Sequence, residues 1–256
     1  MSCFPEMTGG QRKGGSPFRM WDLTIKASFY IDVDDEEEEE RWRGWEALAA
    51  VEQQSFRDAR DSGENLIFPV AHMELVTYDP EASMYGSITE DSDIIGWDED
   101  AVVGGLFGLE DEHGYTVGDY ANGDPEGNLE KVGFDEEALF GIDTDQWAII
   151  TKFEAVPAWR GRKIAAPALA MALTLLAELG VKFAGLQAHP LNIREASNDS
   201  SHAIEYLETF YSSVGFHTHA RSGSGGPFMW QPIGVPVLDK TAGRLTMDGH
   251  LTVKER

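Results

Sequence analysis

The chain has 256 residues, of which 42% are hydrophobic, and its 45 acidic and 20 basic residues give a formal net charge of −25. This length and apolar content suffice for one large domain, while the acidic excess disfavours binding to nucleic acid and anionic membranes and favours cationic partners. A single cysteine, Cys3, excludes an internal disulfide framework and a thiolate metal site. The sequence shows neither a long apolar run nor an N-terminal signal pattern, so we expect a soluble, cytoplasmic protein.

The first quarter of the chain predicts a strand followed by a helix. Residues 1–20 are rich in glycine and polar residues without periodicity, and we expect them to form a disordered leader. Residues 23–33 are rich in β-forming side chains and predict the first strand. An acidic run over residues 34–40 then predicts the start of a helix that continues to about residue 59, because carboxylates in the first turn complement the helix dipole.

The middle of the chain predicts two strands separated by acidic insertions. Residues 71–78 and residues 101–109 have the apolar, β-rich composition of strands, the second containing Gly104 and Gly105. The irregular stretches are residues 79–100 and residues 110–146. A connection as long as the second one is unusual inside a compact domain, so it is either a lid or binding loop or a decoration of the surface.

A strand, a turn and a helix follow over residues 146–180. Residues 147–156 predict a buried strand, and the composition after the turn predicts a helix with Pro167 in its first turn and Gly180 as its C-terminal cap. The turn over residues 157–163 carries three cations beside the helix N-terminus, whose free N–H groups and dipole attract anions. The sequence therefore predicts a phosphate-binding turn, with a basic turn that merely caps a core helix as the alternative.

This turn resembles the acyl-CoA loop of the GNAT superfamily of acyltransferases. Residues 155–165 read Ala-Val-Pro-Ala-Trp-Arg-Gly-Arg-Lys-Ile-Ala, and the family reads Val-x-Pro-x-x-Arg-Gly-x-Gly-x-Gly/Ala at the end of its fourth strand. The matching positions are Pro157, Arg160, Gly161, Ile164 and Ala165. Lys163 replaces a glycine that lets the family's backbone approach the pyrophosphate, so Lys163 either adds a charged contact to phosphate or obstructs the loop.

A second motif of the same superfamily lies downstream. Residues 202–216 predict an amphipathic helix ended by Gly215, with most of its apolar residues in the core. Its ending, Phe-Tyr-x-x-x-Gly-Phe, resembles the one that the superfamily carries after its acyl-CoA loop. By this resemblance Tyr211 is the general acid that protonates the departing thiolate, whereas the sequence alone also allows Tyr211 to be a packed aromatic with a polar tip.

The resemblance covers about residues 147–233 and implies a mixed α/β fold, an α+β mixed sheet of the GNAT type, over residues 21–236. Residues 181–189 predict its fifth strand, residues 216–220 and 228–233 predict closing strands, and residues 237–256 form a tail or hairpin outside the match. In the family the fourth and fifth strands part, and the pantetheine arm of CoA pairs with the fourth strand there. The implied cofactor-binding residues are Phe153, Ala155, Arg160, Gly161, Arg162, Lys163, Ile164 and Ala165.

The implied activity is transfer of an acyl group, most simply acetyl from acetyl-CoA as co-substrate, to an amine. The acidic charge predicts a cationic acceptor, either a small molecule or a protein. Glu154 is the candidate base by strand position, with Glu74 and His189 behind it, and Tyr211 is the candidate acid. The seven histidines show no metal-binding spacing, so no metal is predicted.

Other functions remain open in the sequence. One alternative is a catalytically inactive acidic interaction protein that keeps the GNAT fold while Lys163 disables CoA binding. Its acidity would also suit solubility in a salty cytoplasm, or the imitation of nucleic acid if carboxylates were spaced like phosphates along one face. We expect no direct binding to nucleic acid, and the sequence leaves open whether the chain forms a homodimer.

Overall fold

In the computed structural model the described residues form one mixed sheet with helices on both of its faces. They are residues 2–12, 16–29, 66–83, 85, 87–92, 97–112, 114–117, 142, 145–157, 160, 164–190, 199–221 and 225–233. The strands are β1 (Ser2–Arg12), β2 (Phe18–Phe29), β3 (Leu66–Tyr78), β4 (Trp147–Ala155), β5 (Phe183–Gln187), β6 (His217–Arg221) and β7 (Pro227–Pro232). The helices are α1 (Ile88–Asp91), α2 (Trp97–Gly108), α3 (Ala165–Glu178) and α4 (Asp199–Ser213), with a short 3-10 turn at Pro80–Ala82.

The strands lie in the order β1-β2-β3-β4-β5-β7-β6. All neighbouring strands are antiparallel except β4 and β5, which are parallel and are joined through α3. A parallel pair needs such a crossover, because the chain must return to the same end of the sheet. The predicted fold class, a mixed α/β sheet with the strand and helix unit at its centre, is confirmed.

Each face of the sheet carries its own apolar core, and the alternation of side chains along β4 shows how they divide. Ala148 and Ile150 face a core built with α3 and α4, whereas Trp147 and Ile149 face a core built with α2. Trp147 is fully buried and stacks on Phe183 of β5 at a centroid distance of 5.1 Å. The paired part of β4 and β5 is therefore packed between apolar cores on both faces of the sheet.

The strands β2 and β3 and the helix α3 were each predicted as the correct kind of element, but the two strands begin at other residues than predicted. The first predicted strand begins earlier, at Phe18, and the strand predicted over residues 71–78 begins at Leu66. Pro167 lies in the first turn of α3, and Gly180 follows this helix with a φ of 94°, a conformation that glycine adopts at little cost. The predicted helix over residues 34–59 and the tail over residues 237–256 lie outside the described residues.

Two predictions differ from the structure. Within residues 1–20, expected to be disordered, the structure has β1 and the start of β2, whose backbone groups pair from Ser2↔Ser28 to Arg12↔Arg19. Backbone pairing does not depend on side-chain periodicity, so composition could not indicate it. Residues 101–109, predicted as a strand, lie mostly in α2. This helix begins at Trp97, so the last part of the stretch over residues 79–100, predicted to be irregular, is helical. A short apolar run fits a strand and a buried helix equally well.

The two adjacent glycines of α2 test this assignment. A methyl group at Gly104 would have no neighbour within 4 Å, whereas one at Gly105 would collide with the buried ring of Phe228. We expect Gly104→Ala to stabilise the protein by about 0.5–1 kcal/mol, because glycine is costly inside a helix. Gly105→Ala should destabilise it by about 1–3 kcal/mol through overpacking. Urea unfolding of both variants measures the difference, and equal effects would contradict the placement of α2 on the sheet.

Candidate functional site

The central feature of the site is a gap between β4 and β5. The two strands pair from Trp147↔Phe183 to Ile150↔Leu186, and this pairing ends there. Beyond it β4 continues along β3 as far as Ala155, whereas β5 ends one residue later, at Gln187, and is paired with β7 along its other edge throughout. The last five residues of β4 thus have no β5 partner in the described part of the chain, and the parting of strands that the resemblance implied is present.

A β-bulge lies at the point where the strands part. The register between β3 and β4 shifts between Glu74 and Leu75, so that Thr151 is an extra residue on β4. The Thr151 hydroxyl donates to the Glu74 carbonyl at 3.1 Å. A bulge increases the local twist of a strand and reverses which face its later side chains occupy. It accounts for the position of Phe153 on the same face as Ile150.

The backbone of the free stretch points into the gap at alternate residues. The Val156 N–H donates to the Val70 carbonyl at 2.9 Å, which makes this a bonded pair of the antiparallel ladder. Hydrogen-bonded and non-hydrogen-bonded pairs alternate along such a ladder. The backbone of Glu154 is therefore bonded to β3, and the backbone N–H and C=O groups of the residues before and after it point away from β3. The N–H and C=O groups of Phe153 and Ala155 are therefore presented to the gap, and their pairing with a pantetheine arm stays a prediction.

The turn beyond β4 leads to the N-terminus of α3. The Arg160 N–H donates to the Pro157 carbonyl at 3.3 Å, and the helix begins at Ala165 after the buried Ile164. Ile164 provides no side-chain hydrogen bond as a cap, and the first turn contains no acidic residue. No described side chain caps this end, which leaves the N–H groups of Ala165 and Ala166 available to an anion, since Pro167 has none. The other predicted phosphate contacts, Gly161, Arg162 and Lys163, lie outside the described residues and stay predictions.

The guanidinium of Arg160 binds back onto the end of β4. Its Nη2 donates to Glu154 Oε1 at 2.6 Å, and its Nε donates to the Ala155 carbonyl at 3.1 Å. The candidate base Glu154 is thus an ion-pair partner of a candidate phosphate ligand. Of the other candidate bases, Glu74 forms an ion pair with Lys152 at 2.8 Å, and His189 lies exposed beyond the end of β5.

Tyr211 lies on α4 with its ring buried between two aromatic rings. Phe210 and Phe216 contact it edge-on, at centroid distances of 5.1 and 5.8 Å. The residue is 7% exposed, and burial raises the pKa of Tyr211 to about 12. Among the described residues its hydroxyl has no hydrogen-bond partner. Tyr211 is therefore a neutral phenol at pH 7 with a proton that it can donate.

An aromatic stack connects α4 to the free stretch of β4. The rings of Phe153 and Phe210 are nearly parallel, with an interplanar angle of 11° and a centroid distance of 6.1 Å. Tyr211 is the next residue along α4, so this stack holds its helix against the gap. Glu154 alternates with Phe153 along the strand and projects to the opposite face of the sheet. The two predicted catalytic residues thus flank the gap from different faces.

The structure also places a histidine here that the sequence did not indicate. His72 of β3 is in register with Glu154 of β4 and with Thr24 of β2. Its Nδ1 lies 3.3 Å from the Thr24 hydroxyl. Only the pairing of strands that are far apart in sequence brings these three residues into one row, so no local pattern could have found it.

Two further properties of the described residues concern ligands and membranes. No group of three or more histidine, cysteine or acidic residues among them has the arrangement of a metal site. None of the helices they form is both long and apolar enough to cross a membrane.

Comparisons with known proteins found similarity in structure and none in sequence. No protein-family model and no curated protein matches the chain. One similar structure is FeeM, an N-acyl amino acid synthase from uncultured soil microbes, with 13% identity, a TM-score of 0.30, and coverage of 84% of this chain and 94% of FeeM. The other is an insect protein assigned as arylalkylamine N-acetyltransferase 7, from the yellow fever mosquito, with 12% identity, a TM-score of 0.33, and coverage of 90% and 96%. Both TM-scores are too low for individual residues of this chain to be matched with residues of either structure.

The buried phenol of Tyr211 predicts a change of stability at alkaline pH. An unfolded tyrosine ionises near pH 10, two units below the pKa of about 12 in the folded chain, so the folded state keeps a proton that the unfolded state loses. The stabilising contribution is complete below the unfolded pKa and is lost as pH rises through the folded pKa. Between about pH 9 and 12 the parent should therefore lose roughly 1–3 kcal/mol more unfolding free energy than Tyr211→Phe.

Denaturant unfolding of both proteins across this pH range measures the effect. Burial raises the pKa of Tyr78 to about 12 as well, but Tyr78 is present in both proteins and cancels in the comparison. Parallel stability curves would show that the Tyr211 hydroxyl is not buried as the structure has it.

Proposed function

We propose that the protein is an acyl-CoA-dependent N-acyltransferase that transfers an acetyl group from acetyl-CoA to an amine of a cationic acceptor. The observation that carries this proposal is the open backbone edge of β4, where Phe153 and Ala155 face the gap beside a cationic turn and a helix N-terminus. An extended arm with amide groups can add to such an edge as a strand would. Phosphates at its end would meet the N–H groups of α3 and the positive end of its dipole.

The dimensions of the gap suit this donor. From Ile150 to Ala155 the strand advances five residues, or about 17 Å. The pantetheine arm has about twelve bonds between its phosphate oxygen and sulfur, which corresponds to four extended residues, or roughly 14 Å. With the phosphates at the turn, the thioester would lie about one residue or more short of the closed end of the gap, where Ile150 pairs with Leu186. An acetyl group is the acyl chain that needs the least additional space there.

The reaction follows from the groups around this end. The uncharged amine attacks the thioester carbonyl, forming the C–N bond, and a free N–H of β4 stabilises the oxyanion. The C–S bond then breaks, and Tyr211 supplies a proton to the departing thiolate. Glu154 lies four residues from Ile150 along β4, so the proton lost by the amine passes to it through water and returns through solvent to the tyrosine. The products are the amide and free CoA, so atoms and charges balance.

The proposed class of acceptor, a cationic amine, follows from the negative charge of the protein. The net charge of −25 attracts cations to the protein as a whole. Glu154 and Glu74 lie on the face of the sheet opposite Tyr211, from which an amine would approach the thioester. Polyamines, aminoglycosides and basic protein segments are the acceptor classes that fit this field. Their apparent affinity should fall as salt rises.

The test is an acetyl-transfer assay with matched acceptors. Spermidine, an aminoglycoside and a lysine-rich peptide represent cationic amines, and glycine and glutamate represent amines without net positive charge. We expect acetyl-CoA to raise the melting temperature, because it binds only the folded state, and we expect turnover only with the cationic set. Tyr211→Phe should lower turnover by roughly ten- to ten-thousand-fold while the stabilisation by CoA is retained.

Each part of the proposal has its own contradicting result. If acetyl-CoA does not stabilise the protein, the donor assignment is wrong and the non-catalytic interaction protein becomes the better description. Salt-independent turnover of glycine or glutamate would overturn the acceptor class. A Tyr211→Phe variant as active as the parent would remove Tyr211 from the catalytic residues.

A further inference from the structure

We propose that Glu154 and the phosphate groups of the donor compete for Arg160, so that this ion pair acts as a latch on the donor site. The inference rests on the proposed function and assigns Glu154 a second role in it, as a residue that sets donor affinity. The carboxylate would hold the arginine while the gap is empty and release it when phosphate arrives.

The geometry of Arg160 supports the first step, in which Glu154 holds the arginine while the gap is empty. The side chain turns back from the predicted phosphate-binding turn and contacts β4 at two points, the Glu154 carboxylate at 2.6 Å and the Ala155 carbonyl at 3.1 Å. The second contact uses a backbone group that faces the gap. In this position the guanidinium occupies the entrance end of the edge with which the arm would pair.

The solvent exposure of the Arg160 and Glu154 side chains supports the second step, in which the arginine is released to phosphate. The side chains of Arg160 and Glu154 are 53% and 34% exposed, and ion pairs with this much solvent are weak. A phosphate offers the guanidinium two oxygens in the fork geometry and more negative charge than one carboxylate. Exchange of Glu154 for phosphate is therefore favourable, although the pair still reduces donor affinity.

The exchange has two consequences for the site. The Ala155 carbonyl becomes available to an amide N–H of the arm. Glu154 loses its counter-ion, so an unpaired carboxylate appears on the acceptor face only once the donor is bound. A cationic amine is then attracted to the gap when there is a thioester for it to attack.

The experiment measures CoA affinity by titration calorimetry at low ionic strength in the parent and four variants. Glu154→Gln removes the competitor, and we expect CoA to bind about two- to fivefold more tightly, the range for losing a weak ion pair. Glu74→Gln is the matched control, because it removes the same charge from the neighbouring strand and from an ion pair of similar exposure. It should change CoA affinity by less than about twofold.

Arg160→Ala and its combination with Glu154→Gln complete the cycle. Arg160→Ala should weaken CoA binding, and Glu154→Gln should give no gain in that background beyond the gain from Glu74→Gln. Equal effects of Glu154→Gln and Glu74→Gln, or a gain that persists without Arg160, would overturn the latch while leaving the donor assignment intact. Absence of CoA binding by the parent would instead overturn the proposed function, and the latch with it. Thermal melts without ligand verify that each variant is folded.

Discussion

The arrangement of the site depends on one constraint, which is that hydrogen bonding between β4 and β5 stops at Ile150. Up to that residue the strands are held by their ladder and by cores on both faces, including the stack of Trp147 on Phe183. Beyond it β4 continues past the bulge at Thr151 with its other edge bonded to β3. Unpaired backbone groups are costly when buried, so an edge of this kind is stable where a ligand or solvent can reach it.

The remaining groups are placed relative to this edge by ordinary strand and helix geometry. Alternation along β4 sends Phe153 towards α4 and Glu154 to the other face, which separates the two candidate proton-transfer groups across the gap. The Phe153 and Phe210 stack fixes α4, and Tyr211 follows on the same helix with its phenol kept neutral by burial. The electrostatic groups lie at the entrance and the apolar groups at the closed end, as a charged donor with a reactive thioester requires.

Local patterns in the sequence predicted the centre of the fold well. The change of composition after β4, Pro167 in the first turn of α3 and Gly180 after its end are signals carried by neighbouring residues, and the structure has the predicted strand, turn and helix. By contrast, α2 could not be distinguished from a strand, because a nine-residue apolar run with three glycines has no decisive period. The pairing of β1 with β2 depends on backbone groups that the composition of residues 1–20 does not describe.

The finer features of the site lay beyond the sequence for a different reason. The bulge at Thr151 and the row that includes His72 and Glu154 are properties of the register between β3 and β4, which join residues about eighty positions apart. The contacts of the Arg160 side chain with the Glu154 carboxylate and the Ala155 carbonyl are likewise not indicated by any local pattern of residues. The sequence could indicate which residue types were present, but not that a candidate phosphate ligand and a candidate base are partners.

The central claim is that the free edge of β4 receives the donor, and amide hydrogen exchange read residue by residue tests it directly. In the free protein the amides of Phe153 and Ala155 should exchange fast, whereas the Glu154 amide, bonded to β3, should be protected. Addition of CoA should protect Phe153 and Ala155 and leave Glu154 unchanged. CoA that binds without changing exchange at Phe153 and Ala155, or that protects all three amides alike, would contradict pairing of the donor with this edge.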